Sequence, residues 1–245
     1  STQSRSSAAS DVYKRQTRAE SLLPRDGGEG EIRILAETQP NPSHLFRTFL
    51  VNDPSLVFWS LVQHVNTNLK NLPKSTVHRS ARVETGAYIA PRGVEIGENS
   101  VIGVGSVLLP GVTVGDNSNI GPNCVIGGDG FMIKETTSGT VRITHDAGVH
   151  IGNEVTLGAL VNIDSGLFGD TTRVEHGAKL DSGVHVAHSS VVGEKSLLAA
   201  GSKLGGWVKL GRGVFLGLNS VVGPRVETVS YTHPPSPRDR QKSRM

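Results

Sequence analysis

The stretch VEIGENSVIGVGSVLLPGVTVGDNSNIGPNCVIG, residues 94–127, decides the fold. An aliphatic side chain returns at every sixth position: Ile96, Ile102, Leu108, Val114, Ile120 and Ile126. The beat resumes at Ile151, Leu157 and Ile163. It then runs unbroken through Val174, Leu180, Val186, Val192, Leu198, Leu204, Leu210, Leu216 and Val222. A weaker stretch, Val77, Val83 and Ile89, precedes it. A helix repeats near 3.6 residues and a half-buried strand near 2, so neither accounts for the pattern. A period of about six is the signature of a parallel β-helix, in which three short sides make one coil of roughly 18 residues.

The positions between the beats agree. A small or branched residue sits four places after many of them: Ser100, Ser106, Cys124, Val155, Ala178, Ser196 and Ser202. These fit beside the stacked aliphatic side chains. Gly, Asn and Asp cluster just after the beats, as in Ile96-Gly-Glu-Asn and Val114-Gly-Asp-Asn, and these residues tolerate left-handed backbone angles at corners. The beats add up to seven coils. A run of ordinary hairpins would not hold the phase for so long. Periodicity alone leaves the hand of the helix open.

The chain has 245 residues, few aromatics and a formal net charge of +3. The basic balance comes from the ends. Residues 1–16 carry a net +2 (Arg5, Lys14 and Arg15 against Asp11). Residues 229–245 carry +3 (Arg238, Arg240, Lys242 and Arg244 against Asp239), which leaves −2 for the body between them. The body therefore lacks the electrostatic footprint of a nucleic-acid binder. Both ends, with SSAASDVYKRQ in one and VSYTHPPSPRDRQ in the other, read as adapter-like or disordered tails. There is no transmembrane run and no apolar signal segment. The single Cys124 precludes disulfides and cysteine-rich metal sites, and its place on a small-residue position reads as a buried structural thiol. These features are compatible with cytoplasmic residence.

Residues 17–73 read differently from the coils. Phe49-Leu-Val suggests a short strand, Asp53 is a suitable N-cap and Pro54 a suitable first helical residue. Leu56, Val57, Trp59, Leu61, Val62 and Val65 supply an apolar helix that Pro73 ends. The segment is expected to be a small N-terminal α/β remnant capping a β-helix over 74–228, with Trp59 in a small core rather than stacked on a base.

With the three sides lettered in order, Ile126 and Ile163 are both third-side beats. The insertion GGDGFMIKETTSGTVRITHDAGVH follows the first, and GLFGD follows the second, so both loops leave along one edge. His188 follows the third-side beat Val186. One coil later the same phase is Gly206, and one coil earlier it is Ser165. Neighbouring strands are about 4.8 Å apart, so an imidazole, a glycine backbone and two irregular loops converge on that edge. A solvated corner histidine fits His188 equally well on spacing alone. His145, His150, His176 and His185 are further candidates. His185 and His188 have metal-like spacing, but side chains alternate faces in β structure and zinc needs a third ligand. A hexapeptide-type carbonic anhydrase with shared histidines remains a minor alternative, and no metal is expected.

Four phrases narrow the choice: VIGGDGF (125–131), NIDSGLFGDT (162–171), KLDSGVHVAHSSVVG (179–193) and LGGWVKLGRG (204–213). Together they resemble the UDP-3-O-acylglucosamine N-acyltransferase family of lipid A biosynthesis. FLVNDPSLVFWSLV resembles the end of that family's uridine-binding domain, and the resemblance runs over about residues 46–227. It implies a left-handed β-helix, a homotrimer with sites between subunits, residence at the inner-membrane face, and acyl transfer from acyl carrier protein to the 2-amine of the UDP-sugar. No other cofactor is implied. His188 matches the family's catalytic histidine, Gly206 the residue whose N–H is taken as the oxyanion donor, and Asp181 an acidic residue near the site. Asp129 and Phe131 of the DGF segment, with Ser165 and His185, are expected to contact substrate. Arg225 stands where the family commonly has another histidine.

The residue chemistry fits this reading. An unprotonated amine attacks a thioester, a histidine base of near-neutral pKa accepts its proton, and a fixed N–H steadies the tetrahedral oxygen. Two readings stay open beside it: an acetyl-CoA-dependent sugar-nucleotide acetyltransferase, and a non-catalytic β-helix scaffold.

Overall fold

The structure, a computed structural model, describes residues 32–35, 47–50, 57–61, 72–136 and 139–228. The expected tails 1–16 and 229–245, and the Asp53 and Pro54 helix start, lie outside the described residues. The chain is a parallel β-solenoid. Three seven-stranded parallel sheets run along it, and successive strands of the sequence go to the three sheets in turn. That gives the seven coils the beat predicts, and a parallel bridge from Lys209 to Glu227 opens an eighth.

Most strands are two or three residues long, and the six-residue beat is the reason. Each strand carries one inward aliphatic beat residue, joined in the three-residue strands by a second buried side chain such as Val94, Val112 or Val149, and a corner must follow before the next. From Ile96 to Leu210 every beat residue is buried. In-register pairing stacks like upon like, for example Ile102 on Ile120 on Leu157 on Leu180. Burying such side chains is worth about 1.5–3 kcal/mol each. The ends depart from the expectation: Val77 and Val83 occupy beat positions but are 45% and 38% exposed.

The small inward residues do more than fill space. Ser106 Oγ donates to the Gly121 carbonyl at 2.7 Å and accepts from the Cys124 N–H at 2.9 Å. Ser118, Ser190 and Ser196 repeat this pattern towards the next coil. Each serine thus satisfies a corner carbonyl and an N–H, groups that are costly to bury unpaired. Cys124 takes a serine's place, its thiol donating to the Gly158 carbonyl at 3.1 Å.

The corners adopt left-handed angles at Asn99, Asn117 and Asn123, as expected, with φ of 53–54°. They also do so at Leu160, Trp207 and Arg225, where residue type gives no hint.

The described residues fall into two compact units. One is the solenoid. The other holds parallel strands Ile32–Leu35 and Arg47–Leu50, a helical turn at 57–61, and residues 132–143. The last of these comes from the first insertion, which is an antiparallel hairpin of strands Ile133–Thr136 and Gly139–Arg142 rather than a plain loop. Within that unit Phe58 packs edge-on to Trp59, and Lys134 lies 5.5 Å from the Trp59 ring.

Candidate active site

Register decides what meets at the third-side edge. Asn162 pairs with His185 and His185 with Lys203, so Ser165, His188 and Gly206 follow at equal offsets in successive coils. Both insertions leave along this edge. They are tied together by hydrogen bonds from Ser165 N to Gly128 O and from Phe168 N to Asp146 Oδ1. The resulting cleft holds about 340 Å³ and is lined by Asp129, Gly130, Phe131, Asn162, Asp164, His185, Ala187, His188 and Gly206. That is the size of a small ligand site.

His188 is the centre of this cleft. It is only 8% exposed. Its ring is edge-on to Trp207 at 4.3 Å and to His145 at 5.1 Å. The Cε1 edge of the ring faces Gly206: a Cβ there would stand 2.6 Å from Cε1 and 2.7 Å from Nε2. Only glycine allows this approach. The neighbouring corner N–H, that of Trp207, is spent on the His188 carbonyl at 3.0 Å. Among the described residues nothing accepts from the Gly206 N–H. Burial first, then the charges of His145 and Arg225, lower the His188 pKa to about 4. The imidazole is thus neutral at ordinary pH, with a pKa well below the near-neutral value expected from histidine in general.

The opposite wall is acidic. Asp164 is 6% exposed, accepts from Asn162 Nδ2 at 3.1 Å and faces His185 Nε2 at 3.6 Å. Burial raises its pKa, with the charges of His185 and His145 opposing the rise. Asn162 Nδ2 also reaches His185 Nδ1 at 3.0 Å. Gly130 closes the wall: a Cβ on it would meet Asp164, His145 and His188 at 3.0–3.1 Å.

Of the residues picked out from sequence, Asp129, Phe131, His185, His188 and Gly206 come together. Phe131 is 88% exposed at the lip. Ser165 is buried beneath the cleft, and its Oγ accepts the Gly148 N–H at 3.0 Å. Asp181 follows a second-side strand, Lys179–Leu180, and lines a separate depression with Lys179, Leu197 and Phe215. Its Oδ1 accepts the Ser182 N–H. Sequence reasoning gave no role to Asn162, Asp164, Gly130 or Trp207. Asn162 sits one coil before His185 and is in phase with it, whereas Gly130 is carried in by the insertion and shares no phase with the coils. Among the described residues no group of three His, Cys, Asp or Glu side chains is arranged to hold a metal ion.

Residues 93–128 match the family described as bacterial transferase hexapeptide (six repeats). A UDP-3-O-acylglucosamine N-acyltransferase of Maricaulis maris (strain MCS10) is 43% identical over 93 residues, 38% of this chain and 27% of the relative. The enzyme of that name from Helicobacter pylori (strain ATCC 700392 / 26695) is 30% identical over 230 residues, 84% of this chain and 67% of the relative. The chain belongs to the UDP-3-O-acylglucosamine N-acyltransferase family. The chain spans between about a quarter and two thirds of the length of these two curated relatives. A solved UDP-N-acetylglucosamine acyltransferase from Bacteroides fragilis 9343 overlays 62% of this chain and 67% of its own, with 16% identity and a TM-score of 0.40. No helix among the described residues is long and apolar enough to cross a membrane.

Proposed function

We propose that the protein moves a 3-hydroxyacyl chain from the thioester of acyl carrier protein to the 2-amine of UDP-3-O-acylglucosamine, with His188 as general base. The observation that carries this reading is a buried, neutral imidazole against a glycine whose N–H has no acceptor among the described residues. The unprotonated amine attacks the thioester carbon, forming the C–N bond while the carbonyl electrons move to oxygen. The Gly206 N–H donates to that oxygen. The new ammonium is far more acidic than a free one, so a base with a pKa near 4 can take its proton at Nε2 or Nδ1. The carbonyl then re-forms and the thiolate leaves.

Asp164, Asn162 and His185 form the polar wall on which the amino sugar is oriented. Phe131 at the lip offers an apolar contact, and Asp129 acts through the loop that carries it. Asp181 faces another side of the solenoid, so its part in the reaction fits a homotrimer whose sites lie between copies. Residence in the cytoplasm at the inner-membrane face belongs to the same reading.

The test is transfer from 3-hydroxyacyl carrier protein to the UDP-sugar, with acetyl-CoA as the competing donor and His188→Ala as control. Transfer from the carrier protein, lost in the control, is expected. Transfer from acetyl-CoA alone would favour an acetyltransferase. Equal activity in the control would remove His188 from the mechanism.

A further inference from the structure

His145 stands where the first insertion rejoins the coils, four residues before the strand Val149–Ile151. It is 1% exposed, yet the chemistry above gives it no task. Its main-chain N–H donates to Asp129 Oδ1 at 3.1 Å, and its ring Nδ1 stands 3.8 Å from the same oxygen. Its Nε2 lies against Gly130, which also abuts His188. The two imidazole centroids are 5.1 Å apart at 64°. Two positive charges that close, shielded from water, repel strongly, so the pair titrates as a unit and the second proton is the hard one to add.

The surroundings of the pair are lopsided. Asp129 faces His145 from the DGF loop, Asp146 acts on it from its own segment, and Asp164 from the strand Asn162–Asp164. His185 stands beyond Asp164 and shares its charge. On the other side, Arg225 lies over Trp207 at 5.1 Å and acts on His188. Three carboxylates attend one ring and a guanidinium attends the other.

We propose that His145 is a positioning residue for His188: it holds the pair's first proton on the carboxylate side and so leaves His188 as the free base against Gly206. This rests on His188 being the base. Burial does most to lower the His188 pKa, and the further lowering by the charge of His145 agrees with this division.

The experiment follows the ring signals of the full chain, labelled with 13C-histidine, by NMR across pH. His188 is assigned by the peak missing in His188→Ala. In the wild type the His188 signal should shift in two steps, the first tracking His145. In His145→Gln and His145→Asn it should titrate in one step, with a midpoint higher by about 0.6 pH unit or more, the effect of one charge at this distance even at the dielectric of water. The acid limb of kcat/KM should move up by the same amount; a merely structural role would lower the rate at every pH and leave the limb in place. An unmoved His188 midpoint overturns the proposal. Should neither variant fold, a single-step wild-type titration overturns it. A shifted midpoint in a protein that transfers from no donor upholds the pairing and removes the acyl-transfer reading instead.

Discussion

The Cε1 edge of His188 lies against the Cα of Gly206, closer than any side chain at that position would permit. In-register pairing one coil apart brings them together, and the contact sets the proposed base beside the N–H proposed to hold the oxyanion. Gly206→Ala should leave the fold intact, because Gly206, though buried, lies at a corner outside the stacked aliphatic columns. It should displace the imidazole and lower kcat by about 10²-fold, the usual cost of a misplacement near 1 Å. Wild-type melting behaviour with wild-type activity would show that the close approach is incidental.

His188 also gives the stability a pH dependence. Its pKa is about 4 in the folded chain against 6.5 for the ordinary group. Between those values the unfolded chain binds the proton and the folded chain does not, so this contribution to stability is lost as pH falls from about 6.5 to about 4. Asp164 works in the opposite sense. Its raised pKa means the folded chain binds more protons than the unfolded above the ordinary carboxylate value, so its contribution to stability falls as pH rises. His188→Asn should therefore flatten the decline in Tm on acidification over that window, as measured by thermal melts at pH steps in one buffer series.

Asp181 and His188 line different depressions of one copy. If sites are shared between copies, His188→Ala and Asp181→Asn chains, each inactive alone, should regain activity when refolded together. No recovery would place the two residues at a site within one copy, and an active Asp181→Asn chain would place Asp181 outside the reaction.

Cys124 occupies the position that Ser106 fills in the preceding coil, with its thiol directed at the Gly158 carbonyl. Cys124→Ser should change stability by less than about 1 kcal/mol, since a hydroxyl makes the same bond at least as well. Cys124→Leu should cost about 1–3 kcal/mol by overpacking. Burial raises the thiol's pKa, so the native chain should resist thiol reagents until it unfolds.

Gly121 shows how tightly the coils stack. A Cβ there would come within 2.5–2.7 Å of Gly158 and Leu157 backbone atoms in the next coil. Gly121→Ala should force the two coils apart and cost about 1–3 kcal/mol, read as a lower denaturation midpoint.

The beat from Ile96 to Leu210 was legible because a solenoid makes each inward position a local fact. The partner in the next coil is fixed by counting, so the sequence alone sets Ser165, His188 and Gly206 in line. Counting failed where the chain leaves the repeat. Nothing in the spacing indicates that GGDGFMIKETTSGTVRITHDAGVH folds as a hairpin, or that its two ends bring Gly130 and His145 back against His188.

The sequence by itself determined the coil, its seven turns, the buried columns and the edge on which the site stands, because the inward positions recur every six residues. The tertiary structure decided which groups face His188, that Asp164 is buried beside His185, and that Asp181 opens onto another side. Those outcomes depend on through-space contacts between insertions that share no period, and on burial, which shifts a histidine's protonation without leaving a mark in the order of residues.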